Sequence, residues 1–345
     1  LTILVDNAKL PPVGPCHAVD ERTQTNWNGI VGNIELTASE KIWIDTIQVY
    51  PDVSRKTVRV AAIILNETAW TGHIDVNMRL EQVNTGDIIA ISPPLQIART
   101  EGPETTFDVE LELPDNAPLW DEFARPMFLL TLELKSQPRA EDIYDTYSIM
   151  FGLRNFITRN GQFVINGRPV FLRGKHDAAL FPLTGYAPME KAEWLRLLGI
   201  SADHGMNHYR FHSWCPPRAA FEAADELGIY FQIELPNKRE ITEPDNHSYS
   251  PPSEAYETLD ELTGDAGEPA VRTAYLIREG EKILNEFGNH PSFVMMTLGN
   301  ELGGDESVMR SMCDHFRAID SRHLYAMGTG HFHWDTRYRE GDDFW

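Results

Sequence analysis

The sequence predicts a multidomain β plus α/β chain. The order is a remnant of an earlier β domain, a β-sandwich of immunoglobulin-like size, and part of a (β/α)8 TIM barrel. Three observations predict it. Up to about residue 150, short runs alternate apolar and polar residues between turn formers. Beyond it, strand-like and helix-like segments alternate. The strands of that second part are almost continuously apolar, as in a parallel sheet covered by helices, and they end abruptly in polar groups.

The predicted boundaries are 1–42, 43–150 and 151–345. "TQTNWNGIVGNIELTA" (23–38) holds too few strands to close a sheet and reads as the end of an earlier domain, with a hairpin of the sandwich as the other reading. Sandwich strands are expected at 56–66, 73–83, 87–98, 105–114 and 127–135. Barrel strands are expected at 169–177, 206–214, 229–236, within 292–304, where the oily run stops at Asn300-Glu301, and at 323–331. Helices are expected at 188–205, 216–228, 271–288 and 306–320. Pro188 and Pro216 suit the first helical position, and Gly205 and Gly228 suit the stop. A polar insertion, 237–268, separates the third strand from its helix.

Composition narrows the partners. Acidic residues outnumber basic ones, 52 to 30, for a formal charge of −22, which argues against nucleic acid or an anionic membrane. No apolar run reaches membrane-spanning length. Cys16, Cys215 and Cys313 form no C-x-x-C spacing, so a thiolate zinc site and a thioredoxin-like motif are not expected, and their odd number leaves a free thiol. The opening "LTILVDNAKLPPVG" has no basic region followed by an apolar one, so no signal peptide is read there.

The chemistry-bearing residues gather at strand exits, where a barrel keeps its active site. The first barrel strand ends in Arg173, Lys175, His176 and Asp177. The second ends in Arg210, His212, Ser213 and Trp214, the third in Glu234, the fourth in Asn300 and Glu301, and the fifth in His331, His333 and Trp334. Sugar hydrolysis needs this kind of set. One carboxylic acid protonates the departing oxygen and a second carboxylate lies opposite, while an amide can contact the 2-hydroxyl and apolar rings the C–H face of the sugar. Glu301, after an apolar strand, has the setting in which desolvation makes a carboxyl an acid. Asn300 suits the 2-hydroxyl contact, and Trp214 and Trp334 supply rings whose other reading is rim packing.

Four stretches make the chain resemble glycoside hydrolase family 2, the β-galactosidases, β-glucuronidases and β-mannosidases. They are "TNWNGIVGNIEL" (25–36), "FVINGRPVFLRG" (163–174), "NHYRFHSWCPPRAAFEAADELGIYFQIELP" (207–236) and "HPSFVMMTLGNELGG" (290–304). The resemblance implies a sugar-binding jelly roll, of which 1–42 is the last part, then an immunoglobulin-like sandwich and the catalytic barrel. It implies Glu301 as acid/base and Asn300 as the 2-hydroxyl contact. The strand-exit reading adds His176, Asp177, Arg210, His212, Trp214, Glu234, His331, His333 and Trp334 as substrate-binding candidates, and the resemblance implies an oligosaccharide or polysaccharide as substrate. No cofactor is implied, and a periplasmic or secreted location is. The text around 174–186 and 210–217 is similar to a branch from bacteria that degrade plant polysaccharides. Its members act on β-galactosides, β-glucuronides, β-galacturonides or α-L-arabinopyranosides. About five of eight strands are expected, and the family's nucleophilic glutamate is expected beyond Trp345.

Two other readings stay open at this point. His331 and His333, with Asp177 or Asp335, have the composition of a zinc site. A barrel without a nucleophile would be a non-catalytic carbohydrate-binding protein.

Overall fold

The computed structural model describes residues 1–6, 13, 29–68, 72–98, 102–136, 144–237, 269–302, 305–328 and 339–345. Period-two burial builds the first layer pair. β1 (Ile42–Asp52), β2 (Thr57–Asn66) and β6 (Glu104–Glu112) form one antiparallel sheet, ordered β1-β2-β6. β3 (His73–Gln82), β4 (Ile88–Ile91), β7 (Phe128–Ser136) and β8 (Tyr144–Phe151) form the other, ordered β4-β3-β7-β8, with β5 (Leu95–Ala98) also pairing β3. Val58, Val60, Ala62 and Ile64 of one sheet share a core with Val76, Met78, Leu80, Leu130 and Leu132 of the other, so the sheets stack face to face.

Three expectations change here. The strand expected at 87–98 is two, because Pro93-Pro94 has no N–H for the ladder and separates β4 from β5. β1 and β8 were not anticipated. Of the segment 23–38, expected to hold strands, residues 23–28 lie outside the described residues and 29–38 form none; no described strand pairs with them, and Ile30, Ile34 and Leu36 are exposed.

Next comes a small meander, β9 (Phe156–Arg159), β10 (Gln162–Ile165) and β11 (Arg168–Val170). Its two-residue turns are Asn160-Gly161 and Asn166-Gly167, all four residues with positive φ, the backbone that Asn-Gly hairpins favour. The strand expected at 169–177 is therefore split. Its first part turns back as β11 against β10, and only Gly174–Asp177 (β12) joins the parallel sheet.

That sheet has the order β12-β13-β14-β15-β16 with every neighbour parallel, where β13 is His208–Phe211, β14 Tyr230–Glu234, β15 Phe293–Thr297 and β16 Leu324–Ala326. α1 (Lys191–Asp203), α2 (Arg218–Leu227), α3 (Pro269–Phe287) and α4 (Glu306–Ile319) make the successive crossovers. The helices start later than the prolines suggest. Glu190 and Pro217 occupy the N-caps, and the Pro188 carbonyl accepts Trp194 Nε1 at 2.7 Å instead. The stops agree with the sequence, for Gly205 and Gly228 both have left-handed backbones. No described helix is long and apolar enough to cross a membrane.

Tyr209, Phe211, Phe231 and Ile233 face the helices, packed with Phe221, Leu276, Met312 and Phe316. Alternation then turns His208, Arg210, Tyr230, Gln232 and Glu234 inward. At the base of the inner face Tyr230, Met295 and Leu324 meet Trp120, Phe156, Ile165 and Val170, so the meander closes the N-terminal side of the sheet.

Arg154 joins this base to the sandwich side. Its guanidinium donates to the carbonyls of Pro291 (3.1 Å), Arg322 (2.5 Å) and Phe293 (2.5 Å). Burial lowers its pKa to about 10, leaving it charged at neutral pH. Arg322 reaches the Val49 carbonyl at 3.0 Å and Asn289 Oδ1 at 2.7 Å, while Asn289 Nδ2 donates to Ile47 O at 2.9 Å. Arg154→Met keeps the apolar stem and strands three buried carbonyls. It is expected to cost about 3 kcal/mol or more in denaturant unfolding; a loss under about 1 kcal/mol would contradict this reading.

Candidate functional site

The C-terminal ends of β13, β14 and β15 are tied by one charged network. Glu234, the last residue of β14, faces the inside and is completely buried. A buried carboxylate persists only with partners on both oxygens. Arg210 Nε donates to Glu234 Oε1 at 2.7 Å, and the Ser213 N–H donates to Oε2 at 2.9 Å. Ser213 reaches that position through a left-handed backbone, φ 57°. The same turn carries Trp214 away from the sheet interior.

Arg210 has a second task. Its Nη2 donates to Asn300 Oδ1 at 2.6 Å. A guanidinium only donates, so the amide oxygen must face it and the Asn300 Nδ2 is directed elsewhere. That Nδ2 has no acceptor among the described residues. Asn300 is thus a buried amide with a fixed orientation and an available donor.

The segment carrying Asn300 and Glu301 is moulded by its neighbour. Leu235 N–H donates to Thr297 O at 3.0 Å, extending the β14–β15 ladder by one step. The chain then folds tightly through Pro236, with Asn237 N–H on Leu235 O at 2.6 Å. This aims the Asn237 carbonyl at the next strand's exit, where it accepts the Asn300 N–H at 3.1 Å. Gly299 has φ 145°, and a Cβ there would lie 2.2 Å from the Asn237 oxygen. Only glycine fits. Glu301 follows with φ 51°, strained for a residue with a side chain.

The Glu301 side chain is exposed and has no hydrogen bond or ion pair among the described residues. The apolar surroundings that the sequence leads one to expect are therefore not around it in this structure. β15 buries the residues before it; nothing described covers its exit. Residues 303–304 lie outside the described part, as do the expected site residues His331, His333 and Trp334, together with Asp335.

On the other flank, His176 and His212 meet edge to face with ring centroids 4.5 Å apart. His212 N–H donates to the Asp177 carbonyl at 2.7 Å, and the Asp177 carboxylate receives the Ala179 N–H at 3.1 Å and pairs with Lys175 at 3.4 Å. Two expected substrate contacts change roles. Glu234 has no exposed surface and holds Arg210 and Ser213, so it supports the site from behind. Trp214 is also buried, edge-on to Phe211 and Phe181 in the helix-facing core, with Nε1 on the Asp177 carbonyl at 3.2 Å. Among the described residues no three of His, Cys, Asp and Glu are grouped as metal ligands. Cys215 and Cys313 are free thiols, and burial pushes Cys313 up, away from the reactive thiolate.

Sequence reasoning missed Asn237, Gly299 and His208, and named Ser213 only as a polar residue at a strand exit. His208 points inward one layer below Arg210, so close to β12 that a Cβ on Gly174 would be 2.6 Å from its Nδ1. Burial, then the Arg210 charge, lowers its pKa to about 4.

Residues 156–334 match the family model described as "Glycosyl hydrolases family 2, TIM barrel domain". A β-galactosidase of Lactococcus lactis subsp. lactis is 26% identical over 216 residues, covering 62% of this chain and 19% of that protein. A putative β-glucuronidase of Formosa agariphila is 23% identical over 306 residues, covering 88% and 32%. The chain thus spans a third or less of the curated relatives it matches here. A solved family 2 member from Bacteroides cellulosilyticus superposes with a TM-score of 0.67 at 19% identity over 89% of this chain and 37% of its own. The β-glucuronidase of Parabacteroides merdae gives 0.61 at 18% identity, covering 83% and 34%. At these identities the solved structures share the fold.

The His208 shift sets a pH dependence. A histidine kept neutral in the fold lends stability fully above the unfolded pKa of 6.5, and that stability drains away as pH falls towards about 4. The loss across this window is expected to be about 3 kcal/mol. Denaturant unfolding from pH 7 to 4 checks it: His208→Gln should flatten this part of the profile, and an unchanged slope would contradict the assignment.

Proposed function

The chain belongs to glycosyl hydrolase family 2, and from that membership we propose that the complete protein is a retaining, exo-acting β-glycosidase. Its substrates in this reading are terminal β-galactosides, or the α-L-arabinopyranosides that match them without C6, on plant oligosaccharides or polysaccharides. The observation that carries it is the pair Asn300–Glu301 at the exit of β15, with the Asn300 amide turned by Arg210 so that Nδ2 is left to donate.

Glu301 protonates the glycosidic oxygen as the bond to the leaving group breaks. A second carboxylate attacks the anomeric carbon, and Glu301 then takes a proton from the water that releases the sugar. Glu234 is not that second carboxylate in this account, since its oxygens already hold Arg210 and Ser213. Asn300 Nδ2 donates to the sugar 2-hydroxyl oxygen, a contact that strengthens as positive charge builds on the ring. His176, His212 and Asp177 bind hydroxyls on the opposite flank, a role the strand-exit reading extends to His331, His333 and Trp334. Residues 43–150 serve as an immunoglobulin-like domain and 1–42 as the end of a jelly roll.

Charge balance favours a neutral sugar. The cations described at the strand exits are each held by a carboxylate, Lys175 by Asp177 and Arg210 by Glu234. A uronate would bring a negative charge to a mouth whose described cations are already paired, at a cost unless a further cation meets it. The named β-glucuronidase relatives make this worth a direct comparison.

In the complete protein, Glu301→Gln is expected to lose on the order of 10³-fold in kcat/KM on substrates with poor leaving groups. Aryl glycosides with good leaving groups should suffer much less in the first step. Wild-type rates on a natural glycoside would refute the assignment. In a nitrophenyl glycoside panel, the β-galactoside or α-L-arabinopyranoside should outpace the β-glucuronide; the reverse order would overturn the neutral-sugar reading.

A further inference from the structure

Two complementary groups at the mouth of the sheet lack partners among the described residues. One is Asn237 Nδ2, a donor on a side chain that is 1% exposed. The other is the Glu301 carboxylate, an acceptor. They flank the same turn. Asn237 touches it through its carbonyl, which binds the Asn300 N–H, and through its own Cβ, 3.2 Å from where a Gly299 Cβ would sit. A buried amide donor without an acceptor is costly and rare in a folded protein, so its persistence beside a candidate acid calls for a reason. The tight turn through Pro236 places the carbonyl on the Asn300 N–H, and the buried carboxamide extends from the same residue.

We propose that Asn237 is a positioning residue for the acid/base pair. Its carbonyl fixes the backbone that presents Asn300 and Glu301, and its carboxamide donates to the carbonyl oxygen of the Glu301 carboxyl group, leaving the acidic proton for the glycosidic oxygen, once substrate draws that side chain inward. The proposal rests on the glycosidase reading and adds a residue to it. Catalytic hydrogen bonds often tighten in the substrate complex, so the bond is assigned to that state. Nothing is transferred through Asn237; the bond orients the carboxyl that exchanges the proton.

The test compares Asn237→Ala and Asn237→Asp with wild type and Glu301→Gln in the complete protein. Ala removes the donor, and Asp keeps the shape while replacing the donor by an acceptor. Both are expected to lose about tenfold or more in kcat/KM on glycosides with poor leaving groups and less than about twofold on activated aryl glycosides. The melting midpoint of the Ala variant should hold or rise, because the unsatisfied amide is gone. A residue that only supports the fold would lower the midpoint and depress both substrates alike, and that result overturns the proposal. So does an Asp variant with wild-type rates. If Glu301→Gln shows the leaving-group pattern and Asn237→Ala does not, this inference alone fails. If neither shows it, the glycosidase reading fails and takes this inference with it.

Discussion

A carboxylate with no exposed surface governs the inner face of the sheet. Glu234 is bound by Arg210 and by the Ser213 N–H, and each bond constrains a further element. Arg210, held on one side by Glu234, turns the Asn300 amide on the other. Ser213, bent to reach Glu234, sends Trp214 into the helix layer. Breaking such a pair from one side leaves an uncompensated buried charge, typically costing about 3–5 kcal/mol. The ion pair is thus weak evidence for stability and strong evidence for a fixed geometry: three strand ends are joined at side chains that have one arrangement.

That geometry sits on a stiff foundation. The meander packs against the base of the sheet, and Arg154 gathers carbonyls at the start of β15 and just ahead of β16. Arg322 and Asn289 carry the connection into β1 of the sandwich. Side chains borne on strand ends and braced this way are held in one arrangement. The strain at Gly299 and Glu301 is local and is sustained by that bracing.

Much of this was legible in the residues. The continuous apolar runs of β14 and β15 announced a covered parallel sheet, and the position of Glu301 followed from where the second run stopped. The turn chemistry was legible but unread. Asn160-Gly161 and Asn166-Gly167 are strong hairpin signals, and reading them would have separated β11 from β12. β1 carries a register irregularity between Ile44 and Thr46, which blurs its alternation, and β8 has polar residues on both faces. Side-chain roles were hardest. Nothing in one dimension distinguishes a glutamate facing a sugar from one buried behind an arginine. Nor does it tell a tryptophan at the rim from one turned outward by a single left-handed serine. Asn237 shapes the turn through its carbonyl, which every residue has, and only the fold brings it beside Gly299 and Asn300, so its place could not be read from the sequence.

The account predicts a division of labour at the mouth: a neutral pocket floor whose cations are already paired, and one exposed carboxyl that exchanges protons. The most direct measurement is chemical rescue. With Glu301→Ala in the complete protein, azide should restore turnover of an activated aryl glycoside, and the product should be the glycosyl azide of retained anomeric configuration. A small anion can enter where the missing carboxyl no longer repels it and attack the glycosyl-enzyme without base assistance. Absence of rescue, or an azide product of inverted configuration, would contradict the role given to Glu301.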